Sequence, residues 1–239
     1  MVTNNASHNE ANPLLITGMS VIRQPGVLGR TTQRRLVGVA AAVSAAAIET
    51  VAVAAWFVLV VDSRSLSTAL AGMGLLFCGA LLRTAVFGAA TSRLVDVLKP
   101  RRLAIATTLT SCWIVWLLLA ETVGGPLGVL VAAVLLTAVL SAQFALERRV
   151  FDVKPAYGDD EIAAAVPFLS VVLPALLIAV GTTILLSGAW FLEWTFTWAI
   201  FSTDGSALYL VITGTELGIV AFGLCSLLGQ RLRFRWTIP

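Results

Sequence analysis

A carboxylate in the middle of an apolar run limits what this chain can be. Leu36–Val61, LVGVAAAVSAAAIETVAVAAWFVLVV, carries a single ionisable residue, Glu49. A run of that length crosses the ~30 Å hydrocarbon core of a bilayer with room for tilt. A charge at its centre costs about 2.5–3.5 kcal/mol on insertion scales, so Glu49 requires a partner or a purpose. Arg83 sits inside a second apolar run and Glu216 inside the last.

The remaining sequence repeats the pattern. Of the 239 residues, 58% are hydrophobic and only 12% charged, against about half and a quarter in soluble domains. Apolar runs separated by breaks predict an all-α, polytopic integral membrane protein with six transmembrane helices, over 36–61, 69–90, 103–123, 127–146, 162–186 and 207–228. Pro100 supports one break and Gly124-Gly125-Pro126 another. Residues 1–35 read as a loosely ordered cytoplasmic arm with a short interfacial segment. They carry no signal-peptide core, so the first span acts as an uncleaved insertion signal. Residues 229–239 read as a basic cytoplasmic tail. Trp56 is placed near the outer interface, and Asp159-Asp160-Glu161 at the start of the fifth helix. Between the last two spans, Trp190, Trp194, Trp198 and Phe201 recur at helical spacing. That spacing predicts an amphipathic aromatic helix over 189–201, lying at the outer interface.

Charge sets the orientation. With six spans, fourteen of the 16 Lys and Arg residues fall in the arm, the 91–102 and 147–161 loops and the tail, all on one side. The positive-inside rule makes that side the cytoplasm, with both termini inside the cell membrane. The net charge of +3 is therefore a matter of topology. The bilayer is the expected partner, and nucleic acid is not.

Glu49 and Glu216 then lie ~20 Å and ~18 Å from the cytoplasmic edge, nearly level, with Arg83 ~10 Å in. Two carboxylates near the midplane are suited to taking up and releasing a proton or cation, with Arg83 tuning them. Thr50, Thr213 and Thr215 are the supporting polar groups, and Gly214 and Gly218 permit close helix approach. The opposing reading pairs a glutamate with Arg83 to pin the register of the bundle.

Elimination narrows the chemistry. The only histidine is His8, in the arm; no lysine or aspartate lies inside a span, and neither a Walker A lysine motif nor GxSxG occurs. Cys78, Cys112 and Cys225 all fall in apolar runs with no paired spacing, so neither a disulfide nor a zinc site is expected. An enzyme, a metal and a cofactor are all unexpected. The sequence points to a small proton- or cation-coupled transporter or channel. The alternative is a non-catalytic subunit or scaffold of a larger membrane complex, assembled with other membrane subunits or with further copies of itself. A transporter predicts a water-accessible cavity at the glutamates; a scaffold predicts dry, paired ones.

Overall fold

The computed structural model describes residues 25–62, 65–91, 100–150, 165–192, 195–203 and 206–237. Their elements are α1 (Pro25–Asp62), α2 (Leu66–Thr91), α3 (Pro100–Val123), α4 (Gly125–Val150), α5 (Ala165–Trp190), β1 (Thr195–Thr203), β2 (Ser206–Thr213) and α6 (Gly214–Thr237). All six helices are long and apolar enough to cross a membrane. Pro25 and Pro100 open their helices, where the missing N–H has no partner to lose. Gly124 and Gly125 turn the chain from α3 into α4 at φ 71° and 60°, a left-handed conformation that a side chain would strain.

Each helix packs on its sequence neighbours, and α1 also packs on α6, which closes a ring. Aromatic side chains fill the centre. Trp113 and Trp116 of α3 meet edge to face at 5.7 Å, and Trp113 meets Phe222 of α6 the same way at 5.8 Å. Phe57 of α1 and Leu136 of α4 are buried with them. At one end, Ala41, Ala42 and Ala45 of α1 pack with Phe87 of α2 and Phe234 of α6. The N-terminal half of α1 thus meets the C-terminal parts of α2 and α6. Small residues bring α1 and α2 together, since a Cβ added at Gly79 would collide with that of Ala52.

Pro174 lies inside α5 and has no N–H for the carbonyl of Ser170 one turn back. Arg148 of α4 replaces it. Its guanidinium donates to the Ser170 carbonyl at 3.0 Å and to the Ser170 hydroxyl as well. Arg148→Leu should therefore lower stability by about 1–3 kcal/mol by removing two hydrogen bonds to a buried residue. In a Pro174→Ala background, where the helix can satisfy the Ser170 carbonyl itself, the same substitution should cost less. A denaturant double-mutant cycle in lipid nanodiscs measures the difference.

Several expectations are corrected. The 189–201 segment is not a helix: α5 ends at Trp190, and Thr195–Thr203 is a strand paired antiparallel with Ser206–Thr213. Thr195, Thr197 and Ala199 alternate with Phe196 and Trp198, so the period there is 2 and not 3.6. The last helix accordingly spans 214–237, not 207–228, and most of the expected tail is helical. The expected loop from Glu147 begins instead within α4, which runs to Val150. Trp56 is 3% exposed and covers Gly72 of α2 rather than facing an interface. The helix α1 already begins within the expected arm. The arm's first 24 residues and the acidic cluster at 159–161 lie outside the described residues.

Candidate functional site

Glu49 and Arg83 do meet, and they bring other residues with them. The carboxylate of Glu49 accepts Arg83 Nη1 on Oε1 at 3.0 Å. Its other oxygen accepts the Ser226 hydroxyl and the Gln230 amide, each at 2.9 Å. Arg83 Nη2 reaches across to Glu147 Oε1 at 3.2 Å, where the Gln143 amide also donates at 3.2 Å. Glu147 Oε2 accepts Arg233. Glu49, Arg83, Glu147 and Arg233 thus form one alternating ladder through α1, α2, α4 and α6. Each of the four is at most 3% exposed.

The ladder is charge-balanced, two carboxylates against two guanidiniums. Phe144 lies between both cations, 4.6 Å from the Arg233 guanidinium and 5.5 Å from that of Arg83. Phe87 stacks on Arg233 from another side at 4.0 Å. Ring faces carry negative potential, so these contacts stabilise cations that water no longer reaches. Counted from the ends of the apolar helical stretches, Glu147 and Arg233 lie ~3–5 Å deep, Arg83 ~10 Å and Glu49 ~21 Å. The ladder descends from the bundle end to the middle and stops there. Beside Glu49 and Arg83 lies a cavity of only about 10 Å³, lined by Trp113, Leu109, Leu76 and Gly79. That is room for at most one water molecule.

Glu216 is elsewhere. It lies in the first turn of α6 and is exposed. Its carboxylate accepts the Thr213 N–H at 2.8 Å, while the Thr213 hydroxyl accepts the Glu216 N–H at 3.4 Å. This is a capping box, the reciprocal bond that closes a helix N-terminus. Thr213 therefore serves that cap, and Thr215 lies half-exposed in the same turn. Thr50 turns its hydroxyl to the Ala46 carbonyl at 2.7 Å and takes no part in the ladder. Thr107, Thr108 and Thr110 likewise donate one turn back. Of the sequence-selected groups only Glu49 and Arg83 belong to the ladder.

Sequence reading missed Glu147, Arg233, Gln143, Ser226 and Gln230. A signal for them existed. Gln143 and Glu147 are four apart, and Ser226, Gln230 and Arg233 fall at i, i+4 and i+7, so each set lines one helix face.

Among the described residues no group of three or more His, Cys, Asp or Glu side chains is arranged to hold a metal. The three cysteines are free. Six helices long and apolar enough to cross a bilayer give the class, a multi-pass membrane protein. No protein-family model matches the chain, and no curated protein or solved structure shows significant similarity to it.

Proposed function

We propose that this chain is a non-catalytic scaffold or subunit of a larger membrane complex, with both termini cytoplasmic and the ladder fixing one arrangement of its helices. The observation that supports this most is the saturation of Glu49. Both of its oxygens are held, by donors on α2 and α6, and the cavity beside it measures only about 10 Å³. A carboxylate that cycles a proton or cation has to exchange partners, and this one has both oxygens engaged. The cationic side of the bundle, which by the positive-inside rule faces the cytoplasm, is the end at which Glu147 and Arg233 lie.

A second reading, ion-coupled transport through Glu49, has one observation in its favour. Gln143 Oε1 and Gln230 Oε1 are buried acceptors without a hydrogen-bond donor. Oxygens of that kind suit a cation or a water in a second conformation.

Reconstitution separates the two. Under imposed pH and cation gradients, wild-type proteoliposomes should pass no more ion than empty liposomes. Crosslinking in native membranes should capture a membrane partner in fixed stoichiometry. Flux that Glu49→Gln abolishes and Glu216→Gln retains would overturn the scaffold reading in favour of transport.

A further inference from the structure

The hairpin of β1 and β2 carries an arrangement that the ladder does not explain. Its register pairs Phe196 with Ile212, Trp198 with Leu210 and Phe201 with Leu208. Cross-strand partners share a face, so these six apolar residues lie on one side of the ribbon. The other side takes Thr195 with Thr213, Thr197 with Val211, Ala199 with Tyr209 and Ser202 with Ala207. The strands would lose this segregation without the irregularity between Ala199 and Phe201. One extra residue, Ile200, returns Phe201 to the apolar face, as a β-bulge does.

The ribbon has two further properties. Its sheet has only two strands, so both outer edges lack strand partners among the described residues. Unpaired edge groups each cost several kcal/mol in hydrocarbon, which excludes the ribbon from the bilayer core. At its base, Phe196 is 57% exposed and lines an apolar groove with Ile184, Leu192 and Leu217 of the α5–α6 region. Ile184 and Leu217 are themselves 40% and 46% exposed on spanning helices. Phe196, at the base of the apolar face, thereby adjoins exposed apolar side chains of the spanning helices, and Thr213 of the other face borders the same groove.

We infer that the hairpin is a membrane-interface ribbon whose partner is the bilayer. The Phe196–Trp198–Phe201 face rests on the acyl boundary, and the Thr195–Thr197 face and both edges meet headgroups and water. The interface alone supplies an apolar medium on one side and hydrogen-bonding groups on the other.

The test is site-directed nitroxide labelling of the full chain in phospholipid nanodiscs, with Cys78, Cys112 and Cys225 replaced by alanine. Labels are introduced singly by Phe196→Cys, Thr197→Cys, Trp198→Cys, Phe201→Cys, Leu210→Cys and Val211→Cys. Collision with oxygen, which concentrates in lipid, is compared with collision with a water-soluble nickel chelate. Positions 196, 198, 201 and 210 should favour oxygen several-fold over 197 and 211. Position 201 should group with 198 despite the odd spacing, because of the bulge. Equal access of the nickel chelate to both faces would place the ribbon in water and overturn the inference. Dipolar broadening between labels of two copies would overturn it too, in favour of edge pairing between chains. Labels at 197 and 211 replace exposed side chains, so they report even if a substitution on the apolar face disturbs the fold.

Discussion

Replacing Arg83 by methionine should lower the stability of the bundle by about 3–5 kcal/mol, the cost of breaking a buried ion pair from one side. Arg83 touches both carboxylates, through Nη1 to Glu49 and Nη2 to Glu147. Its loss leaves Glu49 with two neutral donors and Glu147 dependent on Arg233 and Gln143. Methionine fills much of the same volume, so the loss reports charge and not a cavity. Adding Glu49→Gln should restore a good part of the stability, because the orphaned charge deep in the bundle is then gone. Reversible unfolding in mixed micelles, with the double-mutant cycle, gives both numbers. A single-variant loss under 1 kcal/mol would mean that the ladder does not hold the helices together.

Trp113→Ala carries the second large effect. The indole lines the small cavity beside Glu49 and supports Trp116 and Phe222 edge to face. Its removal should cost about 3–5 kcal/mol, as large aromatic truncations in cores do. The lower end is expected here, because lipid supplies no hydrophobic transfer term and only packing is lost. An apolar void of that shape accepts a matching solute, so added indole should raise the melting temperature of Trp113→Ala and leave wild type unchanged. The absence of rescue together with a small loss would contradict the packed centre.

Much of the architecture could be read from the sequence, and the errors share one cause. Hydropathy marks where a helix enters lipid, and it falls off at the first charged residue whether or not the helix ends there. Hydropathy marks the cores of all six helices, yet α4 and α6 continue past Glu147 and Arg233, which it assigns to a loop and a tail. Buried charge at a helix end looks the same in sequence as solvated charge in a loop. Only the i, i+4 spacing of Gln143 with Glu147, and of Ser226 with Gln230, distinguishes them. Glu216 illustrates the converse. Thr213-Gly214-Thr215-Glu216 has the spacing of a capping box, but the apolar strand before it merged with the helix into one long run. Asp204-Gly205 between two runs rich in β-branched and aromatic residues is a hairpin signal, and aromatic spacing at four obscured it. Glu49 is legible because it is the single ionisable residue of its apolar run. Arg83 is legible for the same reason, whereas Ser226 and Gln230 are not, because they lie on the last helix, 177 and 181 residues away.

The order of the rungs along the chain matters for how the molecule is made. As synthesis proceeds, the ladder contributes Glu49, then Arg83, then Glu147, then Arg233, so its running charge alternates between minus one and zero. The first pair is separated by only 34 residues, one helical hairpin, and can neutralise before the third helix exists. Glu147 then finds Arg83 already in place, 64 residues behind it. The nascent chain never has to hold more than one unmatched ladder charge in the bilayer. Ser226 and Gln230 arrive last, with the helix that closes the ring.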